Sequence, residues 1–504
     1  MRNHSLLTIA FLTAVLTGCA NKADEWGTQD VSCCGQSLSW SMYMRGESLR
    51  TGEAQPWYGF GYHPGAITEK DLEKAAEFYR AAAERDYAPA QFQLGRLYAA
   101  GEGVELDPAQ AVYWYTKAAE QDIDWAQFEL GNAYRYGKGV DKDLDAAVAW
   151  YRRAADLGNA AAKYQLASLY ETGEGVAQDP ATAERYYQEG FEWFSRQAEE
   201  GNPWAQFNLA ENYRLGRGVE PDVDKALEWY RRSSDQGYSA AGYQVGRMYA
   251  TGDGVTKDPA KAVEWYRTAA EQGNAAAQFA LARSYDNGEG VARDTANAIA
   301  WYQRSADEGN PWAQWALARR YSSGEGVQQD SDLAFEWFMR AAKQGNAPAQ
   351  LDLAKAYDEG LGTDPDPAEA MAWYRRAAEQ GDQWAQFKLA FLYRDGTVVA
   401  KDPSQAVEWF TKAAAQGNGP AQLELAKAYD QGSGVERDLE QAIEWYRKAA
   451  DQKIVTAQVK LGLIYEEGLG GEKNLMEAAK WYKKAADQGD ALAQERLRLL
   501  TGRI

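Results

Sequence analysis

Histidine and cysteine are nearly missing from this chain, with two His and three Cys in 504 residues. His4 stands in the first few residues, which leaves His63 alone in the rest of the chain. That excludes His-based general-base catalysis and a His-rich metal site. Basic residues are also in deficit. There are 54 Lys and Arg against 74 Asp and Glu, a formal charge of -20. Neutralising a phosphate backbone needs clustered cations, so nucleic acid is excluded as a partner. Long hydrophobic runs are absent too. The uncharged run Leu6–Leu16 is 11 residues, too short to cross a bilayer. What remains is 45% hydrophobic and 13% aromatic, too rich for a disordered chain.

The short apolar run follows Arg2 and precedes Leu16-Thr17-Gly18-Cys19. A basic start, an apolar stretch and small residues describe a signal peptide over residues 1–18. The four residues resemble a bacterial lipobox, which implies lipidation of Cys19 and an anchor made of acyl chains alone. Ala20 follows the cysteine. By resemblance to lipoprotein sorting, this implies the outer membrane, with the chain on its periplasmic face. Residues 19–66 show no helical period and read as a tether. Adjacent Cys33 and Cys34 could form a vicinal disulfide, pair between chains or stay free. With only His63 nearby, they are too few to bind a metal.

From residue 67 to 504 the chain is periodic. Ala90/Leu94/Tyr98 returns as Ala126/Leu130/Tyr134 and Ala162/Leu166/Tyr170, and the alanine continues to Ala493. Every step is 36 residues except one of 43. Positions i, i+4 and i+8 share one face of a helix, here helix A. Gly101 and its equivalents end that helix, because glycine accepts the left-handed turn a helix terminus needs. Six residues on stands Asp107, or its equivalents up to Asp438, with Asn474 last. Asp caps free N–H groups, and Pro108, Pro180, Pro259, Pro367 and Pro403 follow where no N–H is needed, so helix B starts there. Helix B carries Ala111-x-x-Trp114-Tyr115-x-x-Ala118-Ala119, a broad apolar stripe whose large aromatics fill between neighbours.

These residues resemble the Sel1-like repeat, a relative of the tetratricopeptide repeat. The resemblance implies an all-α fold: a right-handed α–α superhelix, or solenoid, of about eleven repeats. The chain departs from the pattern at Val398 in place of a loop glycine, and at Asp122 and Lys453 in place of glycines after helix B. These changes are expected to loosen local turns. The 43-residue step falls between Asp179 and Gly201, where the pair Tyr186/Tyr187 is echoed seven residues on by Trp193/Phe194. Seven residues are about two turns, so one helix B is expected to be two turns longer and to project from the array, with Gly190 bending it. It is either a tolerated insertion or a docking ridge.

No nucleophile motif, phosphate loop or metal-ligand spacing is present. The repeating Asp residues read as helix caps, so no catalytic, cofactor or metal residue is assigned. Cysteine-rich Sel1-like β-lactamases carry a cysteine pair per repeat, which is absent here. Trp125, Trp204, Trp312 and Trp384 stand just before the repeat alanine, where other repeats have Pro or Ala. They either cover the interhelical loop or form an exposed aromatic ladder. The expected function is a non-catalytic periplasmic scaffold binding proteins with basic faces, in an envelope or exopolysaccharide-export assembly. Alternatives are a surface factor binding a host protein, polysaccharide binding through the tryptophans, and, last, a hydrolase. A -20 chain would repel an anionic polysaccharide.

Overall fold

The computed structural model describes residues 35–51 and 71–501. Those residues hold 25 helices and no strand. They divide into two compact units, Met1–Tyr238 and Ser239–Ile504. In the first unit the helices are α1 (Gly35–Thr51), α2 (Leu72–Ala83), α3 (Ala88–Ala100), α4 (Pro108–Ala119) and α5 (Asp124–Tyr136). They continue as α6 (Leu144–Asp156), α7 (Ala160–Thr172), α8 (Pro180–Glu199), α9 (Pro203–Leu215) and α10 (Val223–Asp235).

The second unit begins with α11 (Ser239–Thr251), α12 (Pro259–Glu271), α13 (Ala275–Asn287), α14 (Thr295–Asp307) and α15 (Pro311–Ser323). Next come α16 (Ser331–Lys343), α17 (Ala347–Glu359), α18 (Pro367–Glu379), α19 (Gln383–Asp395) and α20 (Pro403–Ala415). It closes with α21 (Gly419–Gln431), α22 (Leu439–Asp451), α23 (Val455–Glu467), α24 (Leu475–Ala486) and α25 (Ala491–Thr501). Odd-numbered helices are helix A and even-numbered ones helix B. Within each unit every helix packs on the next, the arrangement of a solenoid.

Local chemistry sets these boundaries. The Asp294 carboxylate accepts from the backbone N–H of Asn297 at 3.0 Å, and its neighbours in other repeats do the same. Its pKa is held low by that backbone bond first and by the Asn297 side chain second. The backbone N–H of Asp294 donates to the Tyr285 carbonyl at 2.9 Å, tying each helix B start to the helix A before it. Helix A is capped as well, by Asn274, Asn310, Asn346 and Asn418. Repeat alanines such as Ala313 and leucines such as Leu317 are fully buried.

The loop glycine has a packing reason beyond its φ of 75° at Gly139. A Cβ there would stand 2.1 Å from the Pro108 carbonyl oxygen, at the first turn of the preceding helix B. Val398 cannot take the left-handed conformation; it keeps a negative φ and packs against the core instead. Asp122 and Lys453 do the opposite. They adopt φ of 58° and 66°, so the turns keep their shape at the expense of strain.

Two sequence readings need correction. Part of the segment read as a tether is α1, which packs on α2. Gly46 lies under the Tyr79 ring as Gly131 lies under Tyr151, and the Asp71 N–H donates to the Leu49 carbonyl at 2.9 Å. So α1 is a helix A. Leu49 replaces the usual tyrosine, and the path to Asp71 is longer than in other repeats.

The second correction concerns α8. At 20 residues it is two turns longer than its 13-residue neighbours, as the spacing implies, but its added turns are packed rather than free. Its first half meets α7 in the ordinary register, with the Tyr187 hydroxyl on Glu171 at 2.8 Å. Its second half serves α9, where Gln206 reaches the Ala198 carbonyl at 3.1 Å. The following loop records the slip. A Cβ on Gly218 would meet the Tyr187 carbonyl oxygen, two turns into α8 rather than at its first turn. Gly190 makes room for Tyr164, whose ring a Cβ there would approach to 2.3 Å.

Candidate interaction surface

All four singled-out tryptophans occupy the second residue of a helix A, and the helices of Trp204, Trp312 and Trp384 start from an Asn or Asp cap, whereas that of Trp125 starts at Ile123 without one. Asn310 accepts from the N–H of Trp312 at 3.0 Å, and Asp382 from that of Trp384 at 2.9 Å. The capped turn fixes the Cα–Cβ direction at the helix start, outside the buried stripe. Trp125, Trp312 and Trp384 are exposed by 36%, 48% and 50%. Each indole meets the aromatic ring three residues on, edge to face: Trp125 with Phe128, Trp312 with Trp315, Trp384 with Phe387. This fixes the ring while leaving one face to solvent.

Trp204 differs. The slip in α8 brings it against Phe194 at 5.1 Å, Trp125 at 5.7 Å and Trp193 at 6.0 Å between ring centroids. It is only partly exposed, like most helix B tryptophans. The structure therefore joins Trp125 and Trp204 in one cluster. Trp312 and Trp384 stand at the same register two repeats apart in the second unit. Near the slip, burial pushes the Tyr187 hydroxyl up to about 12, helped by its bond to Glu171.

The helix B tryptophans are not the deepest residues of their stripe. Tyr151 and Tyr446 are fully buried, whereas Trp150 and Trp445 beside them are only partly buried. A cation three residues on covers these rings: Arg153 over Trp150 at 4.6 Å, Lys448 over Trp445 at 3.7 Å. Composition alone did not expose this, but the i, i+3 spacing could have.

Sequence reasoning also missed a ladder of buried glutamines. Gln386 follows the repeat alanine, and its Nε2 donates to the Ala378 carbonyl at 3.0 Å. Its Oε1 accepts from Gln416 of the next repeat at 2.8 Å. The same pair recurs as Gln91/Gln121, Gln206/Gln236 and Gln458/Gln488. The ladder has gaps. Oε1 of Gln127 and of Gln278 is buried without a donor, because positions 157 and 308 hold Leu and Glu. A glutamine recurring thirty residues after another is the signal that could have revealed it.

In the second unit a cleft of about 700 Å³ opens beside α15 and α17, lined among others by Trp315, Arg319, Arg320 and Asp352. Three of its four acids, Asp286, Glu325 and Asp352, are paired with cations. Asp286 pairs with Arg320, and Asp352 accepts from Lys355 at 3.0 Å and from the Trp315 indole at 2.9 Å.

Among the described residues no group of three or more His, Cys, Asp or Glu could hold a metal ion. No described helix is long and apolar enough to cross a membrane. Cys19, Cys33, Cys34 and His63 lie outside the described residues.

The Sel1 repeat model matches residues 52–87, 88–123, 126–159, 160–202, 205–238, 239–274, 275–310, 313–346, 347–382, 385–418, 419–453 and 455–490. That makes twelve repeats, against the about eleven expected from the resemblance. No protein of curated function matches the chain. Among solved structures, one similar protein is c5321, described as a protective antigen present in uropathogenic Escherichia coli strains and displaying an SLR fold. It is 36% identical with a TM-score of 0.54, over 85% of this chain and 91% of that one. A Sel1 repeat protein from Oxalobacter formigenes is 33% identical with a TM-score of 0.46, over 62% of this chain and 89% of its own. Repeat motif, helix pairing and the likeness to c5321 agree, and the chain belongs to the Sel1 repeat family, whose members are in general protein-interaction scaffolds.

Proposed function

We propose that this chain is a non-catalytic scaffold held at the outer membrane by lipid on Cys19, binding protein partners on the periplasmic side. The observation that carries the binding role is the set of exposed indoles at one register of helix A. Trp312 and Trp384 are half exposed where other repeats hold Ala or Pro. Exposed aromatics fixed at one end are the residues that anchor protein interfaces. An assembly in the cell envelope, such as one for exopolysaccharide export, is the setting this reading favours. The test is photo-crosslinking from positions 312 and 384 in intact cells. Discrete protein adducts support the scaffold. Adducts confined to lipid or polysaccharide, or none, defeat it. Metabolic lipid labelling abolished by Cys19→Ser tests the anchor.

A second reading places the chain on the cell surface, binding a host protein. It is favoured by the likeness to a protein described as a protective antigen. Protease treatment of intact cells separates the two, since only a surface chain is cleaved without opening the outer membrane.

A further inference from the structure

A chain of charge -20 should present acidic surface nearly everywhere, and one face of the second unit does not. Residues three, six and ten positions after the repeat alanine share one face of helix A. On α11, α13 and α15 the sixth position is Arg247, Arg283 and Arg319, all exposed. The third and tenth positions on these helices are Gln, Ala, Thr, Asn or Ser, without a single acid. Asp286, close by on α13, is already paired with Arg320. None of the three arginines makes an ion pair among the described residues. Arg319 instead lies over the Trp315 ring at 5.2 Å and Arg283 over Phe279 at 6.0 Å. Arg247 and Arg283 both act on the Tyr266 hydroxyl between them, opposing the rise that its burial causes. At Arg319 the face meets the cleft of about 700 Å³, whose wall holds Ala316 and the acids Asp286, Glu325, Asp352 and Glu359.

We propose that this arginine row binds an extended acidic segment of a protein partner, with carboxylates spaced along it and apolar side chains between them. The inference rests on the scaffold reading and deepens it. Guanidinium groups are forked donors suited to carboxylates, and a cation stacked on a ring keeps its N–H groups free to donate. Packed helices stand about 8–10 Å apart, and an extended chain rises about 3.3 Å per residue. Successive helices A lie side by side, as the Asp286–Arg320 pair between α13 and α15 shows, so carboxylates three residues apart match arginines on neighbouring helices A. A uniform polyanion fits less well, because the row gives way on α17 to Asp352, Asp358 and Glu359.

The probe is a fluorescein-labelled peptide (Glu-Leu-Gly)4, titrated with the full chain and followed by anisotropy. The peptide (Lys-Leu-Gly)4 and oligogalacturonate serve as comparisons. Binding of the Glu peptide should weaken with salt and fall at least tenfold in R247Q/R283Q/R319Q, with R247K/R283K/R319K recovering part of it. R304Q/R340Q/R376Q, which removes the same charge from the helix B tryptophan rims, should bind like the parent. Equal loss in the two glutamine variants overturns the row as a site, as does binding no tighter than that of the Lys peptide. Tighter binding of oligogalacturonate overturns the peptide assignment in favour of a polysaccharide. Loss of the peptide result with the position 312 and 384 adducts intact defeats this inference alone, whereas loss of the adducts defeats the scaffold reading.

Discussion

Gln380 donates its side-chain amide to Oε1 of Gln350 at 2.7 Å, joining two repeats through a bond whose acceptor is buried and whose donor residue is exposed. Gln350 donates in turn to the Ala342 carbonyl at 3.1 Å, so each rung ties three chain segments together. A buried amide oxygen left without a donor costs more than the average bond contributes, because its desolvation is uncompensated. Gln127 is in that state, facing Leu157 where other repeats supply a glutamine. Leu157→Gln should complete the rung, remove an exposed leucine and raise stability by about 1 kcal/mol. Denaturant unfolding checks this. No gain, or a loss, means the rung does not form.

The left-handed lysine provides a second test. Lys453→Gly should relieve about 1 kcal/mol of backbone strain. The reverse change, Gly309→Ala, should cost a comparable amount although a Cβ there has open space around it, because only the φ of 89° opposes it. If Gly309→Ala is neutral, these turns do not enforce the left-handed conformation.

Removing residues 187–193 restores the 36-residue step and fuses Tyr186 to Phe194. The chain should still fold, since the surrounding caps and alanines are untouched. Trp204 should lose its contacts with Phe194 and Trp125. Oxidative footprinting read by mass spectrometry follows this. In the parent, Trp312 and Trp384 should react fast, Trp204 more slowly and Trp373, 6% exposed, slowest. In the deletion Trp204 should join the fast class. A protected Trp204 there would show that the slip is not what holds it.

Alkaline pH should unfold the array through its tyrosines. Burial raises Tyr187 and Tyr266 from the ordinary value of 10.0 to about 12, and other helix B tyrosines move the same way. A raised phenol pKa means the folded state holds protons that the unfolded chain releases. Its stabilising contribution is full below about pH 10 and is lost as pH rises toward about 12. Phenolate absorbance should therefore rise in two stages, exposed tyrosines first and buried ones together with loss of helix. A single stage ending before the helix signal changes would contradict the burial.

What the sequence reveals depends on distance along the chain. The Asp caps, the loop glycines and the longer α8 follow from residues within one or two turns of each other, so spacing exposes them. The glutamine rungs join residues thirty apart on different helices, and no local pattern predicts them. Helix α1 escapes because Leu49 stands for tyrosine and the path to Asp71 is longer, although Gly46 keeps its place under Tyr79. The exposed tryptophans are visible as departures from the repeat. That Trp204 would turn inward depended on a register shift that only three-dimensional packing shows.

That shift has the character of a dislocation in a one-dimensional crystal. On either side of α8 the helix pairing is of the ordinary kind, yet the α9 side is displaced by two turns, roughly 10 Å of helix rise. A mismatch of whole turns leaves the packing unit intact and creates a step at the edge of the lattice. Here the step is lined with indoles rather than with unpaired backbone. A repeat array can thus acquire a singular address among near-identical units without altering the chemistry that builds any one of them.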